Sequence, residues 1–506
     1  SCEENFLLMR LIARRDLTLA ISHGKTYLGS MPIWIAGDQA QQRQVAEWIA
    51  AGERVALGLT EESNGSDLLS GTFTAVQQED DFELSGRKWL VNHAIKGEMI
   101  VLLVQTSEKT RFRDHSLFVL RKSDYEKTDF SYETIQAMGL RGLDLGAIQL
   151  DGLSVPATQV LGRVGDGLEV TLKTLQVTRL MCNAMSLGAA DTAIRCCVKF
   201  LVERRLYNGR AVDLPVVKRE LCKRVAEVLV CEQFTLVGTR AMHLLPNEGS
   251  LLSAISKGLI PDMVEEAMKA LGKLLGARYL LEEGIYSGIF QKMLRDHFII
   301  PVFDGNTAVN LQVLITQMRQ VLSSRREASE ENYHQLFRLY ESLPPLQLEA
   351  LKLMAKGKDL IWEALLQFHE LVEQRKVADV ESMMIFQMAE RFGAYARKLQ
   401  KTIQADRKTN IYTTTEIPAV YYDRAYEFGL LHLASVSIHL WVQNRRHLKS
   451  PFAANHWFLI GLHQIYNKLD VRKIPLETSL IDKATEDLIA AFEAQQLFSI
   501  YPIKVL

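Results

Sequence analysis

Two short segments near the start of the chain carry residue types that suit a flat, phosphorylated ligand. Leu59–Asp67 reads LTEESNGSD, and Gly86–Asn92 reads GRKWLVN about twenty residues later. The first segment is a turn with two hydroxyls, Thr60 and Ser66, and with Gly65, which lets a ligand approach the backbone. Hydroxyls and exposed backbone N–H groups can hold an electron-poor ring and a pyrophosphate. The alternative is an ordinary Ser/Asn/Gly loop that precedes a hairpin.

A carboxylate beside an apolar run forms a second group of candidate residues. Asp304 follows Ile299–Phe303 (IIPVF) and precedes Gly305 and Asn306. A carboxylate in a dry, apolar setting can remove a proton from an activated C–H bond. The alternative is that Asp304 caps a helix that begins near Asn306, since Asp is a common residue at such a turn.

Composition argues against several other kinds of chemistry. The 506 residues carry a net charge of −1, whereas nucleic-acid and anionic-membrane binding use a clear basic excess. The six cysteines have no metal-ligand spacing, so we expect no metal site and no disulfide framework, but buried free thiols in a reducing compartment. No apolar run reaches the length of a membrane span, and charged residues interrupt the apolar N-terminus, so neither a transmembrane segment nor a signal peptide is predicted.

The spacing of apolar residues predicts helices on both sides of a small β domain. The predicted strands are Phe73–Val76, Phe82–Leu84, Met99–Gln105, Ser116–Leu120 and Ala147–Leu150. The predicted helices after them are Gly167–Tyr207, Val216–Met242, Leu251–Leu275, Ser287–Arg295 and Asn306–Ser324. We therefore predict an N-terminal helical segment (1–55), a β domain (56–165), a helical bundle (166–325) and a further helical domain (326–506). The polar stretch Ser323–Ser329 marks the last boundary.

The turn and the strand, in this order and spacing, resemble the flavin-binding middle domain of the acyl-CoA dehydrogenase family. Gly139–Gly142 and Gly165–Gly167 match turns of the same domain. The resemblance covers roughly residues 15–322. It implies an α+β, mainly α fold, in which a helical segment, a small antiparallel β domain and a four-helix bundle are followed here by a C-terminal helical domain. The family normally has further helices before Ile12, so the N-terminal segment is expected to be incomplete.

The resemblance implies FAD as the cofactor and assigns residues to it. Those residues are Leu59, Thr60, Gly65, Ser66, Trp89, Leu90 and Val91 in the β domain, and Arg204, Tyr207, Lys269, Gly272 and Asn306 in the bundle. Thr60 would contact the isoalloxazine edge and Ser66 the phosphate side. Trp89 would cover the flavin face opposite the substrate, with its core packing as the alternative. Val91 lacks the hydroxyl that members of the family often place there.

Two motifs of the bundle complete the cofactor set that the resemblance implies. Glu203–Tyr207 resembles an Arg-x-x-Phe-Gly motif that reaches the FAD of a neighbouring subunit. Arg204 would then pair with the pyrophosphate and Tyr207 would stack on a ring, which implies a homodimer or homotetramer. The alternative is a pair of surface arginines on a helix. Glu266–Gly276 resembles a glycine-rich turn against the pyrophosphate, with a plain helix end as its alternative.

The reaction that the resemblance implies is α,β-dehydrogenation of an acyl thioester, carried by CoA or by an acyl carrier protein. Asp304 stands where the family usually has the Glu that removes the α-proton, and the β-hydrogen would pass to the flavin as a hydride. Arg179 and Gly305 would lie beside the substrate, and Thr178 occupies a position where some members carry their catalytic Glu. Electrons would pass to an electron-transfer flavoprotein, in the cytoplasm or in an organelle matrix.

Other interpretations remain open from the sequence. The GRKWLVN and EAMKALG segments resemble the AidB-like branch of the family, which carries a C-terminal helical extension and is associated with DNA protection. The near-neutral net charge argues against nucleic-acid binding. The very-long-chain acyl-CoA dehydrogenases have a comparable extension. A third alternative is a scaffold that keeps the fold but has lost FAD and catalysis.

Overall fold

A computed structural model describes residues 1–107, 111–323, 330–372, 379–406, 416–470 and 475–505. The chain forms two compact units. The β unit consists of Asp16–Thr178 and Leu348–Leu353, and the helical unit consists of Ser1–Arg15, Arg179–Gln347 and Met354–Leu506. These units divide the chain at other places than the predicted boundaries at 55, 165 and 325. The predicted boundary stretch Ser323–Ser329 lies outside the described residues, apart from Ser323.

The β unit contains two helices followed by a sheet, and it ends at Thr178, within the helix that follows the sheet. Helix α1 (Cys2–Arg15) precedes the β unit and belongs to the helical unit. The two helices are α2 (Leu17–Ala36) and α3 (Gln39–Ala50). The strands are β1 (Val55–Gly58), β2 (Thr74–Gln78), β3 (Asp81–Asn92), β4 (Met99–Gln105), β5 (His115–Arg121), β6 (Ser131–Thr134) and β7 (Leu145–Pro156). The fold class, α+β and mainly α, is as predicted, whereas strands β1 and β6 were not expected from the sequence.

The sheet is mainly antiparallel, with two parallel pairs at β4. Its order is β1-β4-β2-β3-β7-β6, and β5 pairs with β4. Strand β1 runs parallel to β4 along its length, and β2 meets the end of β4 in parallel through Thr74 and Gln105. Strand β4 is buried on both faces: Ile100, Leu102 and Val104 face one apolar core, and Met99, Val101 and Leu103 face the other. That double burial explains why its sequence, MIVLLVQ, is apolar throughout rather than alternating.

A buried ion pair joins the two segments of the β unit that the sequence singles out. The Lys88 ammonium, on β3, donates to Glu61 Oε1 at 2.8 Å, and both residues are at most 5% exposed. Glu61 also accepts hydrogen bonds from the N–H of Thr72 (2.7 Å), the Thr72 hydroxyl (2.8 Å) and the N–H of Phe73 (3.1 Å). The carboxylate therefore replaces the water it loses on burial with four hydrogen bonds.

The protonation states of this pair follow from those contacts. Burial alone would raise the pKa of Glu61, but the charge of Lys88 and the hydrogen bonds from Lys88 and Thr72 lower it to about 2. Burial lowers the pKa of Lys88, while Glu61 raises it. Because the carboxylate accepts four hydrogen bonds that a protonated acid would weaken, the pair is a carboxylate and an ammonium.

The helical unit combines the bundle with the C-terminal helices. The bundle contains α4 (Gly167–Glu203), α5 (Pro215–Leu244), α6 (Gly249–Leu275), α7 (Ile289–His297) and α8 (Thr307–Ser323), and a hairpin, β8 (Arg205–Leu206) and β9 (Gly209–Arg210), joins α4 to α5. The C-terminal helices are α9 (Glu330–Phe337), α10 (Leu360–Leu366), α11 (Phe368–Leu371), α12 (Val380–Ala405), α13 (Ala419–Asn444), α14 (Asn455–Leu469) and α15 (Thr478–Glu493). Helices α13 and α14 pack on α5, and α13 also packs on α8, so the C-terminal helices share the core of the bundle.

One buried carboxylate connects distant parts of this unit. Arg10, on α1, forms an ion pair with Glu232, on α5, and both side chains are fully buried. The Ser499 hydroxyl and the Ile500 N–H (3.1 Å) also donate to Glu232, and Arg10 donates to the Phe498 carbonyl at 2.9 Å. The first helix, the bundle and the C-terminal segment 498–500 therefore meet at one charge pair.

We expect the Glu61–Lys88 pair to stabilise the β unit in a pH-dependent way. Glu61→Gln leaves the buried Lys88 ammonium without its counter-charge, which should lower the free energy of unfolding at pH 7 by on the order of 3 kcal/mol. The folded-state pKa of Glu61, about 2, lies below its ordinary value of 4.5. Stabilisation by its charge is therefore full above about pH 4.5 and is lost as the pH falls toward 2.

Urea denaturation at several pH values checks this expectation. The difference between wild type and Glu61→Gln should shrink as the pH falls below about 4.5. Glu62→Gln is the matched control, because Glu62 is exposed and pairs with Arg87 at the surface; it should change stability by less than about 1 kcal/mol. A Glu61→Gln difference that stays constant from pH 7 to about pH 3 would contradict the assignment.

Candidate functional site

The turn Leu59–Asp67 is held against β3 at its first residues and exposed at its tip. The Trp89 N–H donates to the Thr60 carbonyl at 2.8 Å, and Lys88 Nζ donates to the Leu59 carbonyl at 3.2 Å. Leu59 and Thr60 are half-buried, whereas Gly65 and Ser66 are exposed. Apart from Gly65 and its two neighbours in the chain, no heavy atom of the described residues lies within 4 Å of the position that a Cβ on Gly65 would take. The structure therefore brings the two segments together and leaves the N–H groups of the tip open to a ligand.

The residues after Lys88 divide between the surface and the core. A β-bulge interrupts the pairing of β3 with β7 between Lys88 and Val91, and Leu90 has a φ of +55° within it. Leu90 is 39% exposed and Trp89 is half-buried, so Trp89 is not a core aromatic. The Val91 side chain is buried in the apolar core of the β unit, and its residue pairs with Gly146 of β7. The Val91 side chain therefore offers little surface to a ligand, and the contact of Val91 with a flavin stays a prediction.

Asp304 lies in the loop between α7 and α8, within the helical unit. Its backbone is left-handed, with a φ of +56°. Two residues of α4 contact it: Arg179 Nε donates to the Asp304 carbonyl at 3.1 Å, and the Cys182 thiol donates to Asp304 Oδ2 at 3.6 Å. Arg179 and Cys182 are three residues apart, so they present to the same side of the helix. Burial lowers the pKa of Arg179 to about 10, although Asp304 and Cys182 raise it.

Gly305 is required by both space and conformation. Its φ is +89°, and a Cβ there would lie 3.0 Å from an Arg179 guanidinium nitrogen and 3.3 Å from Asn310 Nδ2. Asn310 Nδ2 donates to the carbonyls of Gly305 (2.8 Å) and Asn306 (2.9 Å). A larger residue at 305 would therefore displace the two donors that shape the loop.

The cap of α8 is Asn306. Its side-chain oxygen accepts the Val309 N–H at 3.0 Å, in the first turn of the helix. Asn306, and not Asp304, therefore caps α8. The same bond engages the side-chain oxygen of Asn306, a residue that the resemblance assigns to FAD.

The Arg204–Tyr207 motif lies on the β8–β9 hairpin, because α4 ends at Glu203 rather than at Tyr207 as predicted. Tyr207 and Asn208 form the two-residue turn, with φ values of +49° and +65°. Positive φ at both positions is typical of a type I′ turn, which Asn accepts readily. Tyr207 is 89% exposed and Arg204 is also exposed. Tyr207 is therefore presented to solvent at the turn of the hairpin, and Arg204 is exposed at its base.

The predicted glycine-rich turn at Glu266–Gly276 is helical, which corrects that prediction. Lys269 and Gly272 lie within α6, which continues to Leu275. Lys269 forms an ion pair with Glu265 one turn earlier, and Gly272 faces the Tyr279 ring, which would lie 3.0 Å from an added Cβ. A small residue at 272 thus makes room for an aromatic ring. The chain turns only afterwards, at Gly276, with a φ of +67°.

Sequence reasoning missed three charged residues that hold the candidate loops: Glu61, Lys88 and Lys257. Lys257, on α6, is fully buried and contacts the loop before α8. Glu61 and Lys88 lie inside the two quoted motifs, but their spacing of 27 residues gives no sign that they pair. For Lys257, the signal is a lysine in the middle of a mostly apolar stretch of α6, LLSAISKGLIP.

Some kinds of site are absent from the described residues. Within them, no group of three or more His, Cys, Asp or Glu side chains is placed to hold a metal ion. Helices long and apolar enough to cross a membrane are also lacking in the part of the chain that the structure describes. The six cysteines are all buried and free.

Known proteins resemble the chain in sequence and in fold. The (2S)-methylsuccinyl-CoA dehydrogenase of Cereibacter sphaeroides is 28% identical over 298 residues, which is 56% of this chain and 53% of that protein. The caffeyl-CoA reductase–Etf complex subunit CarC of Acetobacterium woodii is 25% identical over 295 residues, or 57% of this chain and 74% of that protein. The chain thus spans about half the length of the first relative. An acyl-CoA dehydrogenase from Bacillus anthracis, solved with FAD, has a TM-score of 0.69 at 16% identity, over 96% of this chain and 84% of that one.

Two family models match the two units in turn. The acyl-CoA dehydrogenase middle domain matches residues 56–153, and the acyl-CoA dehydrogenase C-terminal domain matches residues 165–319. Together these matches span half of the chain, and the fold match to the Bacillus anthracis structure extends to the C-terminal helices. The family predicted from the motifs is confirmed: the chain belongs to the acyl-CoA dehydrogenase family, whose members are flavin-dependent oxidoreductases.

Proposed function

We propose that the protein oxidises the Cα–Cβ bond of an acyl thioester, on CoA or on an acyl carrier protein, to the 2-enoyl thioester. The observation that carries the proposal is the arrangement of Asp304. Its backbone is fixed by Arg179, its carboxylate contacts Cys182, and the apolar run Ile299–Phe303 precedes it. A carboxylate fixed in this way is suited to take a proton from a carbon made acidic by a neighbouring thioester.

Asp304 acts as the base in this proposal. A carboxylate oxygen accepts the α-proton of the substrate, and the carboxylate becomes a neutral acid. In this proposal a backbone N–H beside Asp304 polarises the thioester carbonyl, which stabilises the charge that develops on its oxygen. The rate of this step depends on geometry, since a displacement of about 1 Å can cost on the order of 100-fold.

The β unit has the donors that FAD needs. The exposed tip of the turn offers the Ser66 hydroxyl and backbone N–H groups, and the space next to Gly65 is open. Trp89 is half-buried and Leu90 is exposed, and the carbonyls of Leu59 and Thr60 accept hydrogen bonds from β3. These features fit a flavin ring and a pyrophosphate, and we propose that these residues hold FAD. When bound, FAD would supply the acceptor for the β-hydrogen and its two electrons.

A partner flavoprotein is the proposed acceptor of those electrons. The relative from Acetobacterium woodii is by name a subunit of a complex with an electron-transfer flavoprotein. Because a reduced flavin must be reoxidised for turnover, we propose an acceptor of the same kind for this chain.

Asp304→Asn should abolish reduction of the flavin by an acyl thioester and leave FAD bound. Asn keeps the shape of the side chain and tolerates the left-handed backbone at this position, but it cannot take a proton. A panel of acyl-CoA and acyl-carrier thioesters is mixed with wild type, and loss of the visible flavin absorbance is followed by stopped flow. We expect the rate with Asp304→Asn to fall at least about 100-fold.

Asp482→Asn is the control, because Asp482 is a surface carboxylate on α15 that pairs with Lys218. It should reduce its flavin at the wild-type rate. Unchanged bleaching in Asp304→Asn would rule out Asp304 as the base, and purified wild type that neither contains nor takes up FAD would rule out the proposed function.

Tyr207→Ala should weaken FAD binding, if the hairpin reaches the cofactor of a second copy as we propose. Tyr207 is the most exposed large apolar side chain of the described residues, and loss of stacking on an aromatic ring costs about 1–3 kcal/mol, or roughly 5- to 150-fold in affinity. Fluorescence titration of apoprotein with FAD measures the affinity, and light scattering measures the oligomeric state.

Tyr340→Ala is the matched control, since Tyr340 is 52% exposed and stacks on His447 rather than lying on a hairpin. Its FAD affinity should equal that of wild type. A monomeric wild type that binds FAD as tightly as Tyr207→Ala would contradict the proposed contact between subunits.

A further inference from the structure

Lys257 is a buried cation that contacts the loop around Asp304. It lies on α6 and is fully buried. Its ammonium donates to the carbonyl of Pro301 at 3.1 Å and to that of Gly305 at 3.1 Å. These two carbonyls lie on either side of Asp304 in the sequence, so a single side chain spans the segment that carries the carboxylate.

The loop needs such a donor because its residues lie between two helices and belong to neither. Helix α7 ends at His297 and α8 begins at Thr307. Asp304 holds a positive φ, a conformation that costs energy for a residue other than glycine and persists only where the surroundings impose it. Buried carbonyls in such a segment must find donors outside regular structure.

The charges that act on Lys257 come from residues of the same unit. Burial lowers the pKa of its ammonium, Cys182 and Asp304 raise it, Arg179 lowers it, and Asp262 raises it. Asp262 in turn accepts a hydrogen bond from the Thr307 hydroxyl at 2.5 Å, at the start of α8. The Lys257 ammonium therefore lies among charged groups that also act on Asp304. Its two described hydrogen bonds go to backbone carbonyls of the loop.

We propose that Lys257 is a positioning residue that fixes Asp304 for proton removal. It acts through the backbone of residues 301–305 and not by contact with the reacting atoms. Lys257 binds the carbonyls of Pro301 and Gly305, and Arg179 binds the carbonyl of Asp304. Two cations on two different helices thus hold the loop from both sides. The role in catalysis rests on the proposed function, whereas the hold on the loop does not.

Hydrogen exchange tests the hold on the loop without any catalytic turnover. Lys257→Met keeps the length and the apolar stem of the side chain but removes both hydrogen bonds. In the purified wild-type protein and the variant, amide exchange is followed by mass spectrometry on peptides that cover residues 298–306. We expect exchange there to be on the order of 10- to 100-fold faster in Lys257→Met, because each bond from a charged donor contributes stability to the closed loop.

Two further variants complete this comparison. Lys218→Met, on α5, removes a lysine that pairs with Asp482 and leaves the loop untouched, so its exchange at 298–306 should match wild type. Lys257→Gln keeps an N–H donor without the charge and should give intermediate exchange. It also serves as the test variant if the Met variant does not fold. Wild-type protection of the loop in both Lys257 variants would overturn the proposal.

Flavin reduction tests the consequence for proton removal. In Lys257→Met the limiting rate of flavin reduction should fall by on the order of 100-fold, with little change in the dissociation constant of the acyl thioester, and Lys257→Gln should recover part of the rate. A purely structural role would lower FAD content and thioester affinity together with the rate, and that result would overturn the assignment. If wild type does not reduce its flavin with any thioester, the proposed function fails, and the exchange experiment still decides whether Lys257 holds the loop.

Discussion

A loop that carries chemistry must satisfy its buried carbonyl groups without the partners that a helix or a sheet supplies. Both compact units meet this constraint with a buried lysine. In the β unit, Lys88 donates to the Leu59 carbonyl at the base of the exposed turn, and in the helical unit, Lys257 donates to the carbonyls of Pro301 and Gly305 around Asp304. A lysine can do this because one ammonium offers three donors at the end of a long apolar stem. The positions of both loops depend on these contacts.

The two lysines balance their buried charge in different ways. Lys88 has a dedicated partner, Glu61, whose carboxylate is itself held by the backbone. At Asp304 the nearby carboxylate is the proposed base, so its charge changes when it takes a proton. A salt bridge there would be lost at that step, whereas carbonyl dipoles keep their direction. Hydrogen bonds from Lys257 and Arg179 to backbone carbonyls therefore hold the loop in both charge states of Asp304.

The sequence was sufficient for the family and the fold class, because motifs and apolar spacing are local properties. It was insufficient for contacts between residues that are far apart in the sequence. Glu61 pairs with Lys88, 27 residues later, and Lys257 donates to the carbonyl of Gly305, 48 residues later. Alternation along β3 also could not reveal the bulge that turns Val91 into the core. The sequence predicts a turn at Gly272, whereas the structure has a helix there. A glycine inside a helix cannot be told from a turn glycine by sequence alone, because the aromatic ring that packs on it, here that of Tyr279, is not known in advance.

The sequence of the C-terminal helices contains no motif that we can assign to chemistry. Their packing on the bundle indicates a structural role. Helix α5, the centre of the bundle, is covered by α13 and α14, and its Glu232 receives donors from Arg10 of α1 and from Ser499 and Ile500. A charge buried to that extent is stable only while all of these partners are in place. The described residues from 354 to 505 are accordingly part of the core that also supports Arg179 and Lys257, and not an appended module with a separate core. Changes in this region would therefore reach the Asp304 loop through packing, without any contact with substrate.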